Sequence, residues 1–208
     1  MNFALALVRL AVILVVSVSP VLSTAPRTAQ TPATAGDVDP ALLRQLKWRP
    51  VGPANMGGRV SAIAVDPRKP YTIYAGLGTG GIMKTTDNGT SWSGVFDKET
   101  VASIGAIAVT PSDPNIVWAG SGEANGRNSS SWGDGVYRSA DGGGTWVNKG
   151  LRNTHSIARI VIDPGDPNTL YVAAMGHLWG YNQERGVYKT TDGGATWTHS
   201  LKIDETAG

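Results

Sequence analysis

The stretch Gly122 to Asp134 reads Gly-Glu-Ala-Asn-Gly-Arg-Asn-Ser-Ser-Ser-Trp-Gly-Asp, the densest run of reactive and recognition groups in the chain. It brings together two acids (Glu123, Asp134), a cation (Arg127), two amides (Asn125, Asn128) and an aromatic ring (Trp132). Such a mix suits recognition of a sugar or a peptide, where a ring supplies area and a few polar groups fix orientation. It equally suits a long loop whose polar groups bond one another. A second stretch, from His177 to Arg185, repeats the theme with His177, Trp179, Glu184 and Arg185. Arg59 and His155 stand at the start of two other segments that the same reading brings to this side of the molecule. As catalysis, the pattern would mean glycoside cleavage, which in most such enzymes takes two carboxyl groups about the scissile bond. Glu123, Asp134 and Glu184 are the candidates, and their pairing across neighbouring units does not follow from the sequence.

The segments that would hold these loops repeat. Val60-Ser61-Ala62-Ile63-Ala64-Val65, Ile104-Gly105-Ala106-Ile107-Ala108-Val109 and Ile157-Ala158-Arg159-Ile160-Val161-Ile162 each alternate between two faces, as a strand of period two does. Each is followed by a Pro, Asp and Asn turn and a second strand: Thr72 to Gly76, Ile116 to Gly120, Thr169 to Ala173. A third strand then runs Gly81 to Thr85, Gly135 to Ser139 and Gly186 to Thr190, and a fourth leaves a shared phrase. That phrase is [ST]-x-D-x-G-x-[ST]-W, with Asp87, Gly89 and Trp92, then Asp141, Gly143 and Trp146, then Asp192, Gly194 and Trp197. The spacing of roughly fifty residues is that of a propeller blade. The fold expected is all-β: a β-propeller with three four-stranded blades of an incomplete ring, the phrase forming each turn between third and fourth strands.

Read this way, Asp87, Asp141 and Asp192 are structural. A carboxylate accepts amide N–H bonds inside a turn, glycine supplies positive φ at its tip, and Trp fills the space between sheets. Three equivalent acids spread around a ring cannot converge on one substrate. The loops between second and third strands, and those joining blades, lie at the opposite end, so Arg59, Glu123 to Asp134, His155 and His177 to Arg185 share one face.

On these residues the chain resembles the BNR/Asp-box repeat propellers, and among them the sortilin N-terminal domain family and its bacterial "glycosyl hydrolase-like" relatives. Trp48-Arg49-Pro50-Val51-Gly52-Pro53, Gly57-Gly58-Arg59-Val60, Gly122 to Asn125, Gly133 to Tyr137 and the three Asp boxes carry the resemblance, which covers Trp48 to the C-terminus. It implies a propeller fold without specifying a reaction. Sialidases share the Asp box but use three arginines and a tyrosine nucleophile, a set this chain does not complete. Xyloglucan-active propeller hydrolases have a similar Gly-Gly, strand, Tyr-Ala pattern and place an Asp before the next Gly-Gly; here Tyr74 to Gly81 carries no acid.

Composition narrows the rest. The 208 residues carry a net charge of +2 and 16% charged side chains, which gives no reason to expect nucleic acid as partner. With no cysteine, disulfides, thiolate catalysis and a lipoprotein anchor are excluded. His155, His177 and His199 lack metal-site spacing, and neither a metal nor a cofactor is expected. Arg9 followed by the apolar run Leu10 to Val18, then Pro20 and Val21-Leu22-Ser23, reads as a signal peptide over 1–23, so a periplasmic or extracellular protein with no membrane span after cleavage is expected. Residues 24–47 read as a flexible linker and short helix, 48–100 as a lead-in and blade 1, 101–150 as blade 2, and 151–208 as blade 3. Because propellers close with typically four to eight blades, further blades are expected from the same chain or a second copy. The function expected is an exported module, non-catalytic as it stands, that binds peptide, protein or glycan through these loops; the alternative is a glycoside hydrolase needing further blades.

Overall fold

The computed structural model describes residues 58–206; the expected signal peptide, linker, short helix and Trp48–Gly57 segment lie outside the described residues. Within them are three antiparallel four-stranded sheets. Blade 1 is β1 (Val60–Val65), β2 (Ile73–Leu77), β3 (Ile82–Thr85) and β4 (Ser93–Gly94); blade 2 is β5 (Ile104–Val109), β6 (Val117–Ser121), β7 (Val136–Ser139) and β8 (Val147–Asn148). Blade 3 is β9 (Ile157–Ile162), β10 (Leu170–Ala174), β11 (Gly186–Thr190) and β12 (Thr198–Leu201). In each, strands pair in chain order, and β5 packs against both β1 and β9. First strands thus lie innermost and the blades fan outward, the propeller arrangement expected from the repeat. A 3₁₀ turn at Arg152–Thr154, ahead of β9, carries no signal in the repeat.

The alternation of the first strands sorts into two inter-blade cores. Ile107 and Val109 turn toward blade 1, where Tyr74, Ile82, Phe96, Ile104, Val117, Tyr137 and Trp146 are buried together. Phe96 meets Tyr137 and Trp146 edge-on, with ring centres 5.1 and 5.3 Å apart. Ala106 and Ala108 face the other way, into a core of Trp118, Val136, Ile157, Ile160, Leu170 and Val172. Each fully buried side chain of this size contributes about 1.5–3 kcal/mol by leaving water. Close approach at the inner edge needs glycine: a Cβ on Gly120 would lie 2.4 Å from the Ile157 side chain, and one on Gly76 would lie 2.6 Å from Ile104.

The Asp turns are built alike. The hydroxyls of Thr85, Ser139 and Thr190 donate to Asp87, Asp141 and Asp192 at 2.7, 2.8 and 2.6 Å. The other carboxylate oxygen accepts the hydroxyl of Ser91, Thr145 or Thr196 at 2.6, 2.8 and 2.6 Å. These bonds favour the anion. The Ser91 hydroxyl above all brings Asp87 to about 2, the Thr145 amide and hydroxyl bring Asp141 to about 2, and Asp192 is likewise pulled down, first by Thr190. The tryptophans divide. Trp146 and Trp197 reach the preceding blade, their indole N–H groups donating to the carbonyls of Val95 and Lys149 at 2.8 and 2.7 Å. Trp92 is exposed and donates to Gly89 within its own turn at 3.1 Å, so it fills no gap between sheets among the described residues.

Candidate functional site

Antiparallel pairing puts the β2–β3, β6–β7 and β10–β11 loops, with the segments leading into β1, β5 and β9, at the end opposite the Asp turns. The loop following β6 is fastened at both ends. The Gly122 amide donates to the Ser103 carbonyl at 2.7 Å, the Ile157 amide donates to the Gly122 carbonyl at 3.2 Å, and the Gly133 amide donates to the His155 carbonyl at 2.7 Å. Gly122 has φ +81°, and a Cβ there would meet the His155 carbonyl oxygen at 1.7 Å. Between these anchors the Ser130 hydroxyl donates to the Asn125 carbonyl at 2.7 Å and accepts the Arg127 amide at 3.1 Å. Asn125, Arg127 and Asn128 remain exposed along the loop's outer rim.

Glu123 is fully buried, and both its carboxylate oxygens accept hydrogen bonds from Arg59, through Nε and Nη2. Its amide donates to the Ser103 hydroxyl at 2.9 Å. Arg59 keeps about a third of its side chain in contact with water (30%), and the bond to Glu123 raises its guanidinium further above the usual range. The pair links blade 1 to blade 2 over Gly78, where a Cβ would come within 2.9 Å of Glu123 Oε2. A bidentate Arg–carboxylate pair of this kind is a directional tie.

Asp134 is just as occupied. It accepts the Tyr137 hydroxyl at 2.8 Å and Arg152 Nη1 at 2.9 Å, with the Thr100 hydroxyl at 3.3 Å. Burial, above all, raises the Tyr137 phenol. Glu184 is half-buried, and among the described residues its carboxylate has neither an ion pair nor a hydrogen bond; its charge acts on His155 and Tyr188. Arg185 points back into its own loop, donating to the carbonyls of His177 at 2.7 Å and Gly180 at 3.3 Å. His199 is half-buried: its ring stacks on Tyr188 at 4.3 Å and bonds the Arg185 carbonyl at 2.9 Å.

What the sequence does not show is a column of rings joining two blades. His155 lies between Trp132, 5.0 Å away and inclined by 26°, and His177, 3.7 Å away and inclined by 11°. His155 takes φ +55° with ψ −42°, a sparsely populated positive-φ conformation for a residue other than glycine that costs of order 1–3 kcal/mol and is held by its surroundings. Burial, then the neighbouring His177, lowers the His155 pKa, which favours the neutral ring in the stack. Trp132 is 67% exposed, so the column is open at its outer end, and Trp179 (71%) and Tyr181 (78%) stand out from the loop that carries His177. One sequence signal marks the column: the position two residues before the first strand is Gly58 in blade 1 and Ala102 in blade 2, and only blade 3 places a ring there. Two shallow clefts of about 370 and 430 Å³ lie at the other end, along the seam between blades 1 and 2 by Lys84 and Asp141.

No family model matches the chain, and no curated protein matches it. Solved structures do. A GH74 enzyme from Niastella koreensis is 25% identical with a TM-score of 0.51, over 66% of this chain and 21% of that one. An ancestral GH74 enzyme is 28% identical with a TM-score of 0.54, over 72% of this chain and 19% of that one. YCF48 from Cyanidioschyzon merolae, 15% identical with a TM-score of 0.50 over 73% of this chain and 40% of that one, shares the fold. The chain is a β-propeller protein with three blades among the described residues. It spans about a fifth of the length of the two GH74 enzymes it is similar to.

Proposed function

We propose that the protein is an exported, non-catalytic propeller module that binds glycan on the loop face of blades 2 and 3, with Trp132 as its stacking platform. The observation that carries this reading is the Trp132–His155–His177 column, which holds an exposed indole rigidly by stacking on one side and leaves the other open. A flat, low-entropy aromatic surface with amides and a guanidinium nearby suits a ring-shaped polar ligand; Asn125, Arg127 and Asn128 lie in the same loop. The likeness to GH74 glycoside hydrolases supports glycan over peptide. Against catalysis by these residues stand the engagements of Glu123 with Arg59 and of Asp134 with Tyr137 and Arg152. A general acid must be free to give its proton to the leaving group, and neither acid is. The glycosidase alternative rests on Glu184 and on acids supplied by other blades.

A glycan array probed with the purified protein, with a chromogenic glycoside panel beside it, tests this. Binding lost in Trp132→Ala, with an unchanged circular dichroism spectrum and no turnover, is the expected result. Turnover abolished in Glu184→Gln favours the hydrolase; binding that survives Trp132→Ala refutes the platform.

A further inference from the structure

The turns between first and second strands follow one pattern in blades 2 and 3 and another in blade 1. Blade 2 reads Ser112-Asp113-Pro114-Asn115 and blade 3 reads Gly165-Asp166-Pro167-Asn168, where blade 1 has Arg68-Lys69-Pro70-Tyr71. In blades 2 and 3 the acid caps its own turn. The Asn115 amide donates to Asp113 at 3.1 Å, and the Asn168 amide and Thr169 hydroxyl donate to Asp166 at 3.0 and 2.7 Å. The Lys69 side chain has no acceptor to offer, so blade 1 forgoes that cap. It retains the backbone bond common to all three turns, here from the Thr72 amide to the Lys69 carbonyl at 2.7 Å. A local rule broken with no gain to the turn marks a position that serves something else.

The three departures meet in one place. Arg68, Lys69 and Tyr71, together with Lys84, Thr86 and Asn115, line the cleft of about 430 Å³ between blades 1 and 2. That volume falls at the small end of ligand clefts, about 300–1,000 Å³. Two acids also line it, but both are engaged. Asp66 accepts the Arg68 and Lys69 amides at 2.8 and 3.1 Å, and Asp141 is taken up within its own Asp turn. The cations are not neutralised in this way: among the described residues Arg68, Lys69 and Lys84 form no ion pair. Arg68 donates to the Ser112 carbonyl across the seam. Lys84 donates to the Gly142 carbonyl at 2.7 Å, which engages one of its three N–H groups. Burial lowers the Lys84 pKa, Asp141 and Asp66 pull against it, and Lys69 lowers it again, so the two ammoniums lie in each other's field. Beside them the Tyr71 ring is 64% exposed.

We propose that this cleft is a second binding site, at the end of the molecule opposite the Trp132 platform, for a sugar unit that bears a carboxylate or sulfate. The anion binds at Lys69 and Lys84, whose repulsion it relieves; an ammonium is a point charge that takes either anion. The sugar ring lies on Tyr71, and its hydroxyls meet Thr86 and Asn115, an aromatic surface with a few polar groups to fix orientation. The site stands independently of the glycan platform, since none of its residues belongs to the loop face. It also lies wholly between two blades of the described chain, with walls from both.

Ligand-observed NMR titrations of the purified chain with methyl glucuronide, glucose 6-sulfate and methyl glucoside test this, with sodium sulfate as competitor. At least one acidic sugar should bind about tenfold or more tightly than methyl glucoside, the worth of one hydrogen bond to a charged group, and should weaken as salt is raised. Which acidic sugar binds names the anion. Lys69→Asp restores the acid of blades 2 and 3, so this variant should melt no lower than wild type yet lose binding by about tenfold or more. Trp132→Ala should keep it. Methyl glucoside bound as tightly as the acidic sugars, sulfate displacing them at equal concentration, or tighter binding of a glutamate-rich peptide overturns the proposal. So does binding unchanged in Lys69→Asp, or lost in Trp132→Ala, which assigns the sugar to the loop face.

Discussion

Two glycines of one loop, four residues apart, respond oppositely to the same added methyl group. Gly122 and Gly126 both lie in the stretch from Gly122 to Asp134. At Gly126 a Cβ meets nothing within 4 Å, so Gly126→Ala is expected to fall within about 0.5 kcal/mol of wild type, the range of surface substitutions. At Gly122 three costs coincide. The left-handed conformation costs an L-residue about 1–2 kcal/mol. The Cβ sits 1.7 Å from the His155 carbonyl oxygen and 2.8 Å from the Gly133 amide, both backbone atoms that no side-chain rotation can clear; overpacking of this kind costs about 1–3 kcal/mol. The shift that relieves it breaks the Gly133-to-His155 hydrogen bond, about 1 kcal/mol. Gly122→Ala is therefore expected to lose roughly 3–6 kcal/mol, about 6–24 °C in Tm for a domain of this size.

The same displacement moves Trp132 off His155, because Gly133, the anchor that breaks, is the next residue. Urea unfolding followed by tryptophan fluorescence, with glycan binding measured on the folded fraction, separates the two effects. Gly122→Ala should lose binding beyond what its unfolded fraction explains, while Gly126→Ala binds as wild type. Equal stabilities for the two variants, or full binding by Gly122→Ala, would refute the view that backbone contact across blades 2 and 3 sets the platform.

Two further outcomes follow from the charged groups. Arg59→Met strands the fully buried Glu123 carboxylate, whereas Glu123→Gln leaves a neutral group beside a guanidinium that still reaches water; Arg59→Met should be the more destabilising. The reverse order in thermal melts at pH 7 would show that the pair is not held as described. The Asp turns set the acid limit: Asp87 and Asp141 sit at about 2 in the fold against about 3.9 unfolded. Their contribution is present above pH 4 and lost as pH falls toward 2. Melting temperature should drop across that window, and the drop should flatten in Asp87→Asn and Asp141→Asn; a flat wild-type profile contradicts the hydrogen bonding assigned to the turns.

The blades were legible because their causes are local. Alternation in Ile104 to Val109 places Ile107 and Val109 on one face and Ala106 and Ala108 on the other, whatever lies beyond. The Asp turn closes on itself within a few residues, so Asp87, Asp141 and Asp192 could be read without knowing the fold. Strand boundaries moved by one residue, as in Ile73–Leu77 against an expected Thr72 to Gly76, because pairing with the neighbouring strands, here Leu77 with Val60 of β1, decides them and the turn residues do not. The site was not legible in this way. Arg59 and Glu123 are 64 residues apart and meet only because blade 1 lies against blade 2, and the His155–His177 stack forms where the Gly133 amide of the preceding blade holds the His155 carbonyl. Aligning the blades narrows the gap. The position two after the second strand is Thr79, Glu123 and Gly176, and the position two before the first is Gly58, Ala102 and His155. A repeat holds equivalent positions to one structural task, so a charge or ring that appears in one blade alone answers to something outside the repeat. For Glu123 that is a buried partner in the next sheet. For His155 it is the exposed face of Trp132, which no contact within the three blades requires.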